Sequence, residues 1–406
     1  MEVFDMKVLF TLLPATGSLQ PLLPLAQAMV DSGHQVCFAS AASFGPEIEQ
    51  HGFESRPAGL DFLFSSPDYF RILVAEAAVE VPQLSGYERQ AWVTNNLFIG
   101  AAGRRMLPDV VRLAEAWEAD VIVRESSEYS GCVAAETVGI PHASVAAPSD
   151  GALDLREVTR DALDRLRLQA GLVTDRSADM AYRYLHLCFG PPSFYGSDAR
   201  FPTTAHFIRH VDAPRPAVST QLRSKLDRAR PIVLASLGTV FFRSPGLIEA
   251  IVAAIREEPV NLLVAIGPDQ DPARLGLQPA NVHIERYLPI SELLPECDLF
   301  ITHGGFNSVK EAINAAVPML VIPIASDQHF SAERCQALGV GRVVPPQERT
   351  PEQIKRQALT ILKDPAYRRR AMALSEEMTA LPPLEHALAL IERLANDRVP
   401  VRPADL

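Results

Sequence analysis

The chain has 406 residues, 48% hydrophobic and 21% charged, with a formal net charge of −11. That balance excludes a disordered polyelectrolyte, and the length exceeds what one hydrophobic core usually serves, so two α/β domains are expected. The negative charge, with no Lys/Arg cluster interleaved with aromatics, excludes nucleic acid as a partner.

In chain order, Met1 to Lys7 lacks a basic leader and Val8 to Leu13 is too short for a signal core. No stretch reaches the ~20 apolar residues that span a bilayer, so no stable membrane insertion is expected. Five cysteines, at 37, 132, 188, 297 and 335, stand singly without CxxC or Cys/His spacing. They suggest neither a disulfide framework nor a zinc site and fit a cytoplasmic protein.

Residues 7 to 13 (KVLFTLL) read as a parallel strand buried on both faces, followed by the loop PATGSLQP. Leu19, Leu22, Leu23, Leu25, Ala26 and Met29 repeat at helical spacing up to Gly33, and HQVCFAS reads as the next strand. DVIVRES and HASVAAP are later strands of that sheet, with an Ala-rich helix from Tyr129 to Val138 between them. Residues 61 to 118 and 150 to 205 carry helical stretches without a sheet rhythm and read as insertions over the strand ends, where specificity is often carried.

Residues 211 to 230, rich in Pro and charge, mark a linker, after which the alternation restarts. Strand 232 to 236, helix 246 to 257, strands NLLVAIG, VHIERY and DLFIT, helix 306 to 316, strand MLVIP and helix 326 to 338 form a second doubly wound sheet. From Pro351 to Ala395 the chain is helical, broken at Asp364-Pro365 and Pro382-Pro383. The last stripe, Leu384, Leu388, Ile391, Leu394 and Ala395, needs a surface to cover.

The most informative stretch is THGGFNSVKEAINAAVPMLVIPIASDQHFSAE, residues 302 to 333. Gly304 and Gly305 fall at a strand-to-helix turn, where backbone can approach a ligand closely. Asn307 and Ser308 open the helix, whose unpaired N–H groups and positive dipole end suit a diphosphate, assisted by His303. Glu311, one turn on, is placed to accept from ribose hydroxyls. Taken alone, the glycines and the cap also describe an ordinary turn; the larger constellation sets this one apart.

Residues 303 to 328 resemble the signature HxGxNSxxEAxxxGVPxxxxPxxxDQ of nucleotide-sugar glycosyltransferases with the GT-B fold, the group of UDP-glycosyltransferases and bacterial antibiotic (natural-product) glycosyltransferases. The resemblance implies two facing Rossmann-like doubly wound domains with a cleft between them. It assigns His303, Gly305, Asn307 and Ser308 to the donor diphosphate, Glu311 to ribose, and Asp327 and Gln328 to sugar hydroxyls. Gly238 and Thr239 of SLGT match a phosphate-contacting loop, and Tyr287-Leu288 matches a tryptophan-containing segment that packs on the nucleobase. Ala316 departs from the glycine usual before Val-Pro.

The implied organisation is an acceptor-binding domain over 1–210, a linker over 211–230, a nucleotide-sugar-binding domain over 231–382 and a helix over 383–406 that packs back on the first domain. The implied reaction is inverting transfer from a UDP- or dTDP-sugar to a small, largely apolar natural-product acceptor, with no metal or other cofactor, by a monomer or homodimer. In the first domain the family commonly reads GHxxP, with a histidine as base and a later aspartate to orient it. Here Ser18 stands at the histidine position and Arg124-Glu125-Ser126-Ser127-Glu128 at the aspartate. Serine is a poor general base; Glu125 or Glu128 is the alternative, and Glu125 is preferred because it occupies the dyad's second position. His34 and His142 read as structural. The altered dyad leaves two other readings open: a non-catalytic glycosyltransferase-like partner, or a C-glycosyltransferase that needs no histidine.

Overall fold

Continuous apolar runs bounded by glycine and proline form strands that are buried on both faces, which only a helix-covered parallel sheet provides. The computed structural model describes residues 5–84, 86–146, 156–175, 179–211, 220–238, 244–267, 270–325 and 327–405. It divides into two units: Met1–Phe189 with Asp198–Ala213 and Pro382–Leu406, and Gly190–Ser197 with Pro214–Leu381. The expected first stretch, 1–210, thus gives up a short segment to the second unit.

The first unit is built on β1 (Lys7–Thr11), β2 (Gln35–Ser40), β3 (Glu54–Pro57), β4 (Val121–Glu125), β5 (His142–Val145), β6 (Leu185–Phe189) and β7 (Ala205–Ile208), in the order β3-β2-β1-β4-β5-β6-β7. The second contains β8 (Ile232–Ser236), β9 (Asn261–Ala265), β10 (Val282–Glu285), β11 (Leu299–Thr302), β12 (Met319–Val321) and β13 (Gly341–Val343), in the order β10-β9-β8-β11-β12-β13. Every pairing is parallel, so the carboxyl ends line up: Thr11 lies opposite Arg124, Ser236 opposite Thr302, and Thr302 opposite Val321. Strand order reverses between β1 and β4 and between β8 and β11, the crevice positions of an open α/β sheet.

In the first unit, Phe10, Val123, Val145 and Leu187 on one sheet face pack with Ala387, Leu390, Ile391 and Leu394 of the helix Leu384–Asp397. His34 ties that helix down through Nε2, 3.0 Å from Glu392 Oε1. The opposite face carries Leu9, Ile122 and the helix Ser130–Val138. In the second unit, Val233, Leu262, Ile301 and Leu320 pack with the helices Leu247–Ile255 and Pro351–Lys363. The break at Asp364-Pro365 is a helix start: Asp364 accepts from Ala366 N–H at 2.9 Å, with proline in the first turn, where its missing N–H costs nothing.

The insertion over 150–205 differs from the expectation of helix alone, and one further strand precedes the insertion over 61–118. Strands β6 and β7 lie within or at the end of 150–205, where LHLCF and AHFI carry a buried His186 and His206 that blur the apolar run. Strand β3, ESRP, is a mostly exposed edge strand and has no apolar pattern to read. Among the described residues no helix is long and apolar enough to cross a membrane.

Candidate active site

In the second unit the expected donor residues all follow carboxyl ends of strands. Gly238 and His303 follow the neighbouring strands β8 and β11, and the register sets Ser236 beside Thr302. His303 is clamped between two glycines: a Cβ at 238 would fall 2.5 Å from His303 Cε1, and one at 305 would fall 2.5 Å from Nε2. Only backbone without a side chain leaves room for the ring. Gly238 also takes φ +72° and Gly304 φ +87°, both in the region that favours glycine. Burial pushes the His303 imidazole down to about 4, so it is neutral at physiological pH.

Gly305 is the N-cap of the helix Phe306–Asn314, and it has no side chain to satisfy the first N–H groups. Asn307 and Ser308, half-buried, form the first turn, and Glu311 is buried one turn on. The helix is seated by the Phe306 ring, whose centroid lies 5.5 Å from that of Phe194 and 6.0 Å from that of Tyr195. Asp327 is the N-cap of the helix Gln328–Ala337. Gln328 Oε1 accepts from Ile324 N–H at 2.7 Å and Ala325 N–H at 3.0 Å, so its carbonyl holds the loop after β12. A Cβ at 304 would lie 3.2 Å from the Gln328 carbonyl oxygen, which brings the two loops together.

After β10, Leu288 is buried while Tyr287 is 56% exposed. Tyr287 is thus not a core residue, and its ring is available as a stacking surface two strands from β8. Thr239 lies outside the described residues.

In the first unit, Ser18 sits half-buried in the helical turn Thr16–Leu19 after β1, its N–H donating to Ala15 O at 3.0 Å. Glu125 ends the neighbouring β4, buried, and Oε1 accepts from Ser127 N–H at 2.9 Å. Glu128 has a different task. Its carboxylate accepts from Thr11 Oγ1 at 2.5 Å, from Gly131 N–H at 3.0 Å, and from the Ser130 N–H and hydroxyl. It closes the N-terminus of the helix Ser130–Val138. Of the two carboxylates, Glu128 is therefore the structural one.

Sequence reasoning gave Arg124 no role. Fully buried, its guanidinium donates to the carbonyls of Ser126 and Glu128 at 2.8 Å each and of Ala181 at 2.5 Å, and packs beside the rings of Tyr129 and Tyr182. It fixes the loop that presents Glu125. The signal was a charged residue within the apolar run VIVRE, which a doubly covered strand excludes unless the charge is fully hydrogen-bonded.

Comparison with known proteins identifies the family and the fold. The profile of the erythromycin biosynthesis protein CIII-like N-terminal domain matches residues 27–237, and that of the corresponding C-terminal domain matches 250–393. The chain is 27% identical over 426 residues to 4'-demethylrebeccamycin synthase of Lentzea aerocolonigenes, covering 96% of this chain and 99% of that one. It is 28% identical over 414 residues to L-demethylnoviosyl transferase of Streptomyces niveus, covering 98% and 100%. The crystal structure of the glycosyltransferase VinC in complex with DTDP matches with a TM-score of 0.79 at 24% identity, over 97% of this chain and 100% of that one. With profiles of both domains matched in order along the chain, the protein belongs to the erythromycin biosynthesis protein CIII-like family and is a natural-product glycosyltransferase of the GT-B fold.

Proposed function

We propose that the chain transfers a sugar, with inversion, from a UDP- or dTDP-sugar to a small, largely apolar natural-product acceptor. One observation carries the placement of the donor. The helix after β4, Ser130–Val138, is closed by its own Glu128 carboxylate, whereas the helix after β11, Phe306–Asn314, begins at Gly305, against which the His303 ring packs. A helix start without a capping side chain and with a histidine beside it supports the second as the anion site for a diphosphate. The nucleotide bound in VinC supports a nucleoside diphosphate as leaving group on this fold.

In the reaction, the acceptor oxygen forms a bond to the anomeric carbon while the bond from that carbon to the diphosphate oxygen breaks, its electron pair leaving with the diphosphate. The acceptor proton passes to the Glu125 carboxylate, with the Ser18 hydroxyl orienting the nucleophile. Charge grows on the diphosphate, where the N–H groups of residues 306–308, the helix dipole and the neutral His303 as hydrogen-bond donor stabilise it; a single donor so placed is typically worth ~10²–10³-fold. Asp327 and the Gln328 amide bind sugar hydroxyls, Glu311 binds ribose, and Tyr287-Leu288 packs on the base. These groups require no divalent ion. The test is turnover in the presence of a chelator, with the anomeric configuration of donor and product compared by NMR. Inverted product is expected, and Glu125→Gln should lower kcat by ~10²–10⁴-fold with donor affinity kept. Retained configuration, or full activity of Glu125→Gln, would overturn the respective assignment.

A further inference from the structure

The segment between β3 and β4 carries a cluster of rings of which only Phe98 also packs against a sheet core. Phe62, Phe64, Tyr69, Phe70, Trp92 and Phe98 gather over a floor that includes Leu13, just beyond the end of β1, and the Phe64 N–H donates to Pro14 O at 3.1 Å. The cluster therefore stands beside the loop that leads to Ser18. Phe62 is buried, but Phe64, Tyr69, Phe70, Trp92 and Phe98 are only half-buried. Phe64 meets Phe62, Tyr69 and Phe98 at centroid distances of 5.3, 5.0 and 6.0 Å, with planes tilted by 65°, 43° and 77°. Rings packed edge to face leave part of their faces uncovered.

Two of these rings sit on or beside an unusual element. Residues Thr94–Gly103 form a π-helix, a wide turn that is rare and concentrated at functional sites. Gly100 and Gly103 permit it, since a Cβ at either would lie 3.0 to 3.1 Å from the carbonyl oxygens of Asn95 and Phe98. Trp92 lies just before this turn and Phe98 within it.

Resting on the reading of the first unit as the acceptor side, we infer that the acceptor is a flat aromatic molecule bearing a phenolic hydroxyl, held by stacking in this ring cluster. An aliphatic acceptor would gain only burial there, and leucine would serve it as well as phenylalanine. A planar π-system gains the ring faces in addition. A phenolic hydroxyl, with a pKa of about 10, gives up its proton far more readily than an aliphatic alcohol, which suits a site whose proposed base, Glu125, is a carboxylate and hence a weak base.

The chain has two tryptophans, and Trp117 lies outside the cluster. In a Trp117→Phe background, Trp92 fluorescence reports acceptor binding without donor or turnover. A hydroxyanthraquinone is expected to quench it saturably, while a sterol of similar size does not compete. Phe64→Leu and Phe98→Leu, which keep apolarity but remove a ring, should each weaken the hydroxyanthraquinone about tenfold with unchanged melting temperature. Equal binding of sterol and hydroxyanthraquinone, or wild-type affinity in both leucine variants, would overturn the inference. Separately, hydrolysis of dTDP-glucose and UDP-glucose by the same protein tests the transferase reading; a positive ring titration with no hydrolysis of either donor would count against the donor assignment alone.

Discussion

His303 is the residue to which the proposed function gives the donor diphosphate, and its surroundings set its protonation. Its ring is held between Gly238 and Gly305, and burial lowers its pKa from 6.5 to about 4. The sign follows directly. Below pH 6.5 the unfolded chain takes up a proton that the folded chain refuses until about pH 4, so stability is full above 6.5 and falls through that window by about 3 kcal/mol. His303→Asn should flatten this acid slope in melting experiments, leaving the share due to His142 and His186, which burial also pushes down. An unchanged slope would show that His303 titrates normally. The motif around His303 was legible because glycine, histidine and a helix start fall together in sequence. Arg124 was not, since its partners at 126, 128 and 181 are carbonyls that no residue type announces.

At the scale of elements, Ala316 shows what the sequence marked correctly as a departure. It ends the donor helix region with φ +55°, a left-handed conformation that strains a residue with a Cβ, and its carbonyl accepts from Arg368 Nη1 at 2.9 Å. Ala316→Gly should raise stability by about 1 kcal/mol, or ~2–4 °C in melting temperature, with turnover unaffected; a lower melting temperature would contradict the strain. Helices and central strands were readable because KVLFTLL, PIVLASLG and the 351–395 stripe have unambiguous periods. Strands β3, β6 and β7 were not. One is an exposed edge and the others place histidines inside the sheet, so binary pattern fails where pairing and hydrogen bonding decide. The ring cluster of 62–98 likewise read only as insertion, because its rings come from three separate segments that tertiary packing assembles.

Across the whole molecule, two sheets of the same architecture differ in what occupies the helix at the strand-order reversal. In the first unit a carboxylate from the chain itself caps the helix Ser130–Val138; in the second, the helix Phe306–Asn314 begins at glycine. In the proposed function, that difference assigns donor binding to the second unit. Calorimetric titration of dTDP and UDP into the full chain tests this most directly. At least one nucleotide should bind, with affinity reduced tenfold or more by His303→Ala and left unchanged by Ser18→Ala, which lies in the other unit. Wild-type affinity in His303→Ala, or an equal loss in Ser18→Ala, would contradict the account.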